Sequence, residues 1–306
     1  MSSFLSSHTG ELFAITVAFL WAVSSILYSR IGKVIPPLEL NFLKGVLALA
    51  FVIATLLITG QIIKTINPTA VILLLLSGVF GIGIGDTAYL DALRSIGPRR
   101  ATLIKITAPP FAGLISWVFL GEKLSVFSWI GIGIILFSIA WVIAERTKDT
   151  TPAPQVTKKI SRGAIMALIA AICEALGVVL SHAALTRTAV SPMWSTFFRL
   201  FAGIVTASIL LIIKRQSIGG WLKRQDRNRT GLLVITVVFF GTFLGIFLQQ
   251  LSLQRIPAGI TQTLIATSPI FVLPISALLG EKISIRAVLG ALLAIIGVAL
   301  IFVPPI

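Results

Sequence analysis

Ionisable side chains set inside long apolar runs are where this 306-residue chain could do chemistry. Glu174 stands in Ala-Ile-Cys-Glu-Ala-Leu-Gly, near the centre of such a run. A charge there costs about 2.5–3.5 kcal/mol on insertion scales, so it must face a cavity or a basic partner. In a cavity it would contact a substrate amine or accept a proton; paired, it would form a structural ion pair with Arg199 or Lys44. Those two cations lie seven residues after Pro192 and Pro37 respectively. A fixed cation of this kind would hold a carboxylate or phosphate, Arg bidentately. The alternative is that they snorkel to an interface or tie helix ends together. Asp86, with Tyr89 and Lys105, would line the same pathway, whereas Asp91 is expected to pair with Arg94 near the surface.

Polar uncharged residues extend the pattern. Thr102, Thr107, Thr261, Gln262, Thr263 and Thr267 give two proline-bearing segments (Pro109-Pro110, and Pro269 with Pro274) a polar face, and Gln249 and Gln250 add a second pair. Proline removes a donor and kinks a helix, freeing carbonyls that substrate or neighbouring helices must satisfy. These segments would form a pathway wall, or else serve interhelical hydrogen bonding. Gly81 and Gly85, echoed by Gly241 and Gly245, have the spacing that allows close helix approach. Glu122 and Glu281 precede apolar runs and are expected to cap helix N-termini. No Walker-type loop, HExxH or G-x-S-x-G is present, so nothing points to an enzyme or a cofactor. One cysteine and two histidines are too few for a disulfide framework or a histidine-based metal centre.

The elements that must position these groups are membrane helices. Hydrophobic residues make up 57% of the chain and charged ones 11%, with a mean hydropathy of +1.03; a soluble domain carries about 25% charge. A span needs roughly 20 mostly apolar residues. Ten such stretches are expected, at about 11–29, 38–59, 69–92, 100–120, 126–144, 163–185, 192–213, 231–253, 258–279 and 285–303. All should be helices, because an open strand leaves backbone groups unsatisfied in lipid. The net charge of +15 does not indicate nucleic acid: the loops after odd-numbered spans hold 18 Lys and Arg, those after even-numbered spans 4. The asymmetry places the basic loops in the cytoplasm and both termini outside it. The loop Lys214 to Arg229, with Trp221 among its basic residues, would rest on anionic headgroups.

The chain also repeats itself. Pro98/Pro257, Pro110/Pro269, Gly121/Gly280, Glu122/Glu281, Lys123/Lys282 and Gly131/Gly290 all stand 159 residues apart. A linker over 146–162 separates two five-span halves, 11–145 and 163–303. Five is odd, so the second half is inverted, and duplicated halves of this kind place a substrate site between them.

These features resemble the drug/metabolite transporter superfamily, specifically its EamA-type exporters. The likeness covers nearly the whole chain and rests on the paired Pro110…Gly121-Glu122-Lys123 and Pro269…Gly280-Glu281-Lys282 segments and on the basic residue early in the second helix of each half, Lys44 and Arg199. Arg is usual at that place, so Lys44 departs mildly. A Trp in the opening helix of each half is also usual; Trp21 fits, but Glu174 stands at the matching place in the second half. The resemblance implies two inverted five-helix EamA-like repeats in an all-α integral protein of the inner membrane. It implies a secondary transporter that moves a small organic metabolite or drug, usually outward, by alternating access. A proton or counter-solute, or no coupling partner, would be compatible. A flippase for a lipid-linked or amphipathic cargo is the alternative, and a non-transporting sensor a third. The site residues expected on this reading are Glu174, Arg199, Lys44, Asp86, Tyr89, Lys105, Trp21, Gln249 and Gln262, with no metal and no cofactor.

Overall fold

The computed structural model describes residues 8–61, 67–121, 125–143, 154–278 and 284–301, and every regular element among them is helical. The first half comprises α1 (Thr9–Ile31), α2 (Pro37–Thr59), α3 (Pro68–Ser77), α4 (Asp86–Lys105), α5 (Ala108–Leu120) and α6 (Val126–Ile143). The second comprises α7 (Pro154–Arg187), α8 (Pro192–Ile213), α9 (Arg227–Val237), α10 (Gly245–Leu253), α11 (Ala258–Ile265), α12 (Ser268–Leu278) and α13 (Ile285–Ile301). Helix α7 starts inside the stretch read as linker. Several helices begin at the proline that ends the preceding turn. Pro fits the first helical position because its missing N–H would be unsatisfied there anyway. At two of these starts the residue before it caps: Asn67 accepts from the Thr69 N–H at 2.9 Å, and Ser191 from the Trp194 N–H at 3.4 Å. Gly121 closes α5 with a left-handed φ of 74°, a conformation open to Gly at little cost. Glu122, Lys123, Glu281 and Lys282 lie outside the described residues.

Seven helical stretches are long and apolar enough to cross a bilayer: Thr9–Ile31, Pro37–Thr59, Pro68–Pro98, Arg100–Leu120, Ile160–Arg187, Pro192–Ile213 and Arg227–Leu253. Of the other expected spans, α13 has 17 residues, and the ninth is divided into α11 and α12 by a turn at Ala266-Thr267.

Both halves interrupt their helices in the same two ways. A wide π-helical turn joins α3 to α4 over Gly78–Gly85, and another joins α9 to α10 over Val238–Leu244. Such turns leave carbonyls for outside donors. Asn41 donates to the Ile82 and Gly83 carbonyls at 2.8 and 3.2 Å, and Trp21 Nε1 to the Gly241 carbonyl at 2.9 Å. The second interruption falls at Ile106-Thr107 and at Ala266-Thr267. Thr107 Oγ1 donates to the Ile104 carbonyl at 2.8 Å, and Thr267 Oγ1 to the Leu264 carbonyl at 2.6 Å. The structural interval here is 160, matching Pro109 rather than Pro110 to Pro269. The second half holds one extra residue between Pro257 and the break.

Packing follows the repeat. Helix α2 lies against α8, and α6 against α13, so these two pairs join like elements of opposite halves. Residues of α3–α4 pack on α7, as α10 packs on α1. The outer face carries Leu57, Ile58, Val118, Phe119 and Leu278, each more than two-thirds exposed, while Lys44, Arg199, Gln249 and Gln250 are buried. Lipid solvates the former, and only other protein groups can satisfy the latter. Trp221 is half-buried, its ring 3.8 Å from a Cβ built on Gly231 and packed against the core cluster, within a loop whose basic residues are exposed.

Candidate functional site

A cavity with about 990 Å³ of empty space, its open mouth included, lies between the halves. All nine residues singled out from the sequence line it: Glu174, Arg199, Lys44, Asp86, Tyr89, Lys105, Trp21, Gln249 and Gln262. The structure brings them together from α1, α2, α4, α7, α8, α10 and α11.

Lys105 sits at its centre. As the last residue of α4, just before the break, it holds its ammonium near carbonyls at a helix C-terminus, which favours a cation there. Its Nζ lies 2.6 Å from Glu174 Oε2. It also lies 4.7 Å from the Trp21 ring centroid and 4.5 Å from that of Tyr89, within the range of cation–π attraction. Gln262 approaches the other Glu174 oxygen at 3.4 Å. Glu174 is therefore paired, but with Lys105, not with Arg199 or Lys44 as its spacing suggested. The pair joins the two halves, because the break after Lys105 lets its side chain reach α7.

Each half also has a contact of its own. Lys44 pairs with Asp86 within the first half. In the second half Arg199 NH1 donates to Gln249 Oε1 at 3.2 Å. The basic residue early in the second helix thus meets the third span of its own half both times, once a carboxylate and once a neutral amide.

Two further hydrogen-bonded groups reach the cavity. Tyr28 OH and Thr242 Oγ1 are 2.7 Å apart across the halves, and Tyr89 OH and Thr102 Oγ1 are 3.2 Å apart. Tyr28, Ser24, Ser25 and Thr242 were not among the sequence candidates. A signal for three of them existed: Trp21, Ser24, Ser25 and Tyr28 fall at i, i+3, i+4 and i+7, one polar helix face, and the chain's two tyrosines both line the cavity.

Other expectations change. Of the polar threonine face, Thr102 lines the cavity, whereas Thr261 faces Ser252 at 3.0 Å. Gln250 belongs to the packed core, its Oε1 accepting from Ser195 at 2.8 Å and from Ser181. Asp91 pairs with Arg162, 2.9 Å away on α7, rather than with Arg94. The glycines serve packing and room together. Gly81 faces Gly177 and the Arg199 guanidinium, and Gly245 faces the Trp21 indole.

Comparison with known proteins gives a consistent picture. Residues 8–144 and again 161–303 match the EamA-like transporter family. An uncharacterized transporter of Archaeoglobus fulgidus is 24% identical over 298 residues, spanning 96% of this chain and 98% of its own. A protein of known crystal structure, 19% identical, shares the fold with a TM-score of 0.72 over 95% of this chain and 96% of that one.

Proposed function

The chain belongs to the EamA-like transporter family, and from that premise we propose that it is a secondary transporter carrying a small organic solute across the cytoplasmic membrane by alternating access, in the outward direction. In this reading ten spans form two inverted five-helix halves with both termini outside the cytoplasm. The solute site is the cavity between them, lined by Glu174, Arg199, Lys44, Asp86, Tyr89, Lys105, Trp21, Gln249 and Gln262.

The observation that carries the proposal is the Lys105–Glu174 pair, 2.6 Å across the interface of the halves and backed by Trp21 and Tyr89. A buried ion pair is costly to form and costly to break by removing one member. One that joins two domains which must rock against each other is a natural element to be exchanged during transport. Protonation of Glu174, or a solute charge that replaces one partner, would weaken the tie and let the halves move. Other ties cross the halves near it: Tyr28 to Thr242 and Trp21 to the Gly241 carbonyl are hydrogen bonds at the cavity, and Ser77 donates to the Gly177 carbonyl at 2.5 Å.

Reconstitution into liposomes tests this. Solute flux that requires the protein and is abolished by Glu174→Gln is expected. Flux unaffected by that change would remove Glu174 from the mechanism, and flux of a labelled lipid alone would make the protein a flippase.

A further inference from the structure

We propose that the solute is an organic monocarboxylate, bound with its carboxylate on Arg199 and its apolar body against the aromatic wall. This rests on the cavity being the solute site of a transporter, and it deepens that reading.

Three cations line the cavity, Lys44, Lys105 and Arg199, against two carboxylates, Asp86 and Glu174. Lys44 and Lys105 each have their carboxylate. Among the described residues Arg199 has only the neutral Gln249 for a hydrogen-bond partner, although it is 4% exposed. Buried charges without counter-charges are rare because the desolvation is uncompensated. A second observation points the same way. Among the described cavity-lining residues, two buried polar side-chain atoms make no hydrogen bond: Arg199 Nε and Gln249 Nε2. Both are donors, and they belong to side chains already in contact. What they lack is an acceptor, and what the cavity lacks is one negative charge.

An ionised carboxylate supplies both. It accepts from a guanidinium through two oxygens in a geometry that Arg is shaped to meet. A neutral acceptor would satisfy the donors and leave the charge, while a phosphate monoester with close to two charges would overcompensate it. A primary amine would add to the excess of positive charge. The lining sets apolar and aromatic groups, Trp21, Tyr89, Ile246 and Ile265, beside the hydroxyls of Ser24, Ser25 and Thr242, and the former can seat an alkyl or aryl body.

The test is equilibrium binding to the purified full-length protein in detergent, by calorimetric titration at constant ionic strength. The probes are benzoate, benzamide, benzylamine and phenyl phosphate. Benzoate is expected to bind and the other three to bind at least tenfold more weakly (roughly one charge-assisted hydrogen bond). Arg199→Gln should weaken benzoate roughly 10- to 100-fold, and Arg199→Lys less. If Arg199→Gln fails to elute as a monodisperse species, Gln249→Leu, which removes one orphan donor and keeps the charge, should still weaken benzoate severalfold. No benzoate binding, equal binding of benzamide or benzylamine, or benzoate binding that neither position affects would overturn the inference. Liposome flux separates this from the wider reading. Benzoate binding without flux of any solute keeps the carboxylate site and sinks the transporter, whereas flux of an amine or neutral solute without benzoate binding does the reverse.

Discussion

Trp21 and Glu174, which stand at matching places in the opening helices of the two halves, converge on one ammonium group. Trp21 presents its ring 4.7 Å from Lys105 Nζ, and Glu174 its carboxylate at 2.6 Å. A duplicated fold would set the same side chain at both places. Here one repeat supplies a π-face and the other a full charge. Lys105 itself, the last residue before the break, has Ile265 as its counterpart at the structural interval of 160. The charges around Lys105 are thus distributed unequally between the two repeats.

The first prediction concerns this pair. Glu174→Gln leaves Lys105 buried without a counter-charge, and such a loss costs about 3–5 kcal/mol. Lys105→Met alone should be similarly costly, because it strands Glu174. The double variant Glu174→Gln with Lys105→Met removes both charges and should recover most of the stability while transporting nothing. Thermal unfolding in detergent and flux in liposomes read the two effects separately. A double variant as unstable as either single one would show that the two charges are not coupled.

The second prediction follows from how closely the third span meets α8. A Cβ at Gly78 would lie 2.2 Å from the Arg199 carbonyl oxygen and 2.8 Å from the Ala202 Cβ, and the first of these is backbone that cannot rotate away. Gly78→Ala should therefore prevent stable assembly. At Gly241 the Ser24 hydroxyl at 2.0 Å can turn away, but the Ser24 Cβ at 2.7 Å cannot, so Gly241→Ala should force a small helix shift and be milder than Gly78→Ala, where backbone atoms clash more closely. Gly133 has nothing within 4 Å, and Gly133→Ala should be neutral or stabilising by up to about 1 kcal/mol. Size-exclusion profiles and melting temperatures of the three variants check the order, and a Gly78→Ala protein as stable as the parent would contradict it.

What was readable in the sequence was mostly what a single helix decides. Pro36-Pro37, Asn67-Pro68 and Ser191-Pro192 mark helix starts because proline chemistry is local. Likewise, Glu174, Lys44 and Arg199 stand out because a charge in an apolar run must have company. Which company was not readable. The partner of Glu174 depends on the turn at Ile106-Thr107, which aims Lys105 at α7, and the partner of Asp91 depends on α7 starting early enough to present Arg162. The division of the ninth span was half visible: Pro269 announced a distortion, but the extra residue that shifts the interval from 159 to 160 shows only when the two breaks are superposed. Tyr28, Ser24 and Ser25 form a polar helix face by their spacing, but uncharged hydroxyls in an apolar run can be satisfied by their own helix's carbonyls and so do not demand a cavity as a charge does.

The third prediction separates two candidate partners of Asp91. A double-mutant cycle between Asp91→Asn and Arg162→Gln should give a coupling of about 0.2–1 kcal/mol, the range for exposed pairs, since Arg162 is 68% exposed and 2.9 Å away. The same cycle with Arg94→Gln should give none. Coupling to Arg94 in place of Arg162 would mean that α7 does not extend over α4 as described.

The fourth prediction addresses orientation. The basic residues gather in the loops after odd-numbered spans, which the positive-inside rule assigns to the cytoplasm. The single cysteine, Cys173, is buried and free, so Cys173→Ala gives a background without thiols. On that background Ser217→Cys lies in the exposed loop between α8 and α9, and Ala189→Cys in the exposed turn between α7 and α8. These two sites fall at opposite ends of α8 and must lie on opposite faces of the membrane. A membrane-impermeant maleimide added to intact cells should label the cysteine at 189 and reach the one at 217 only after permeabilisation. The reverse pattern would place both termini in the cytoplasm and overturn the orientation assigned from the loop charges.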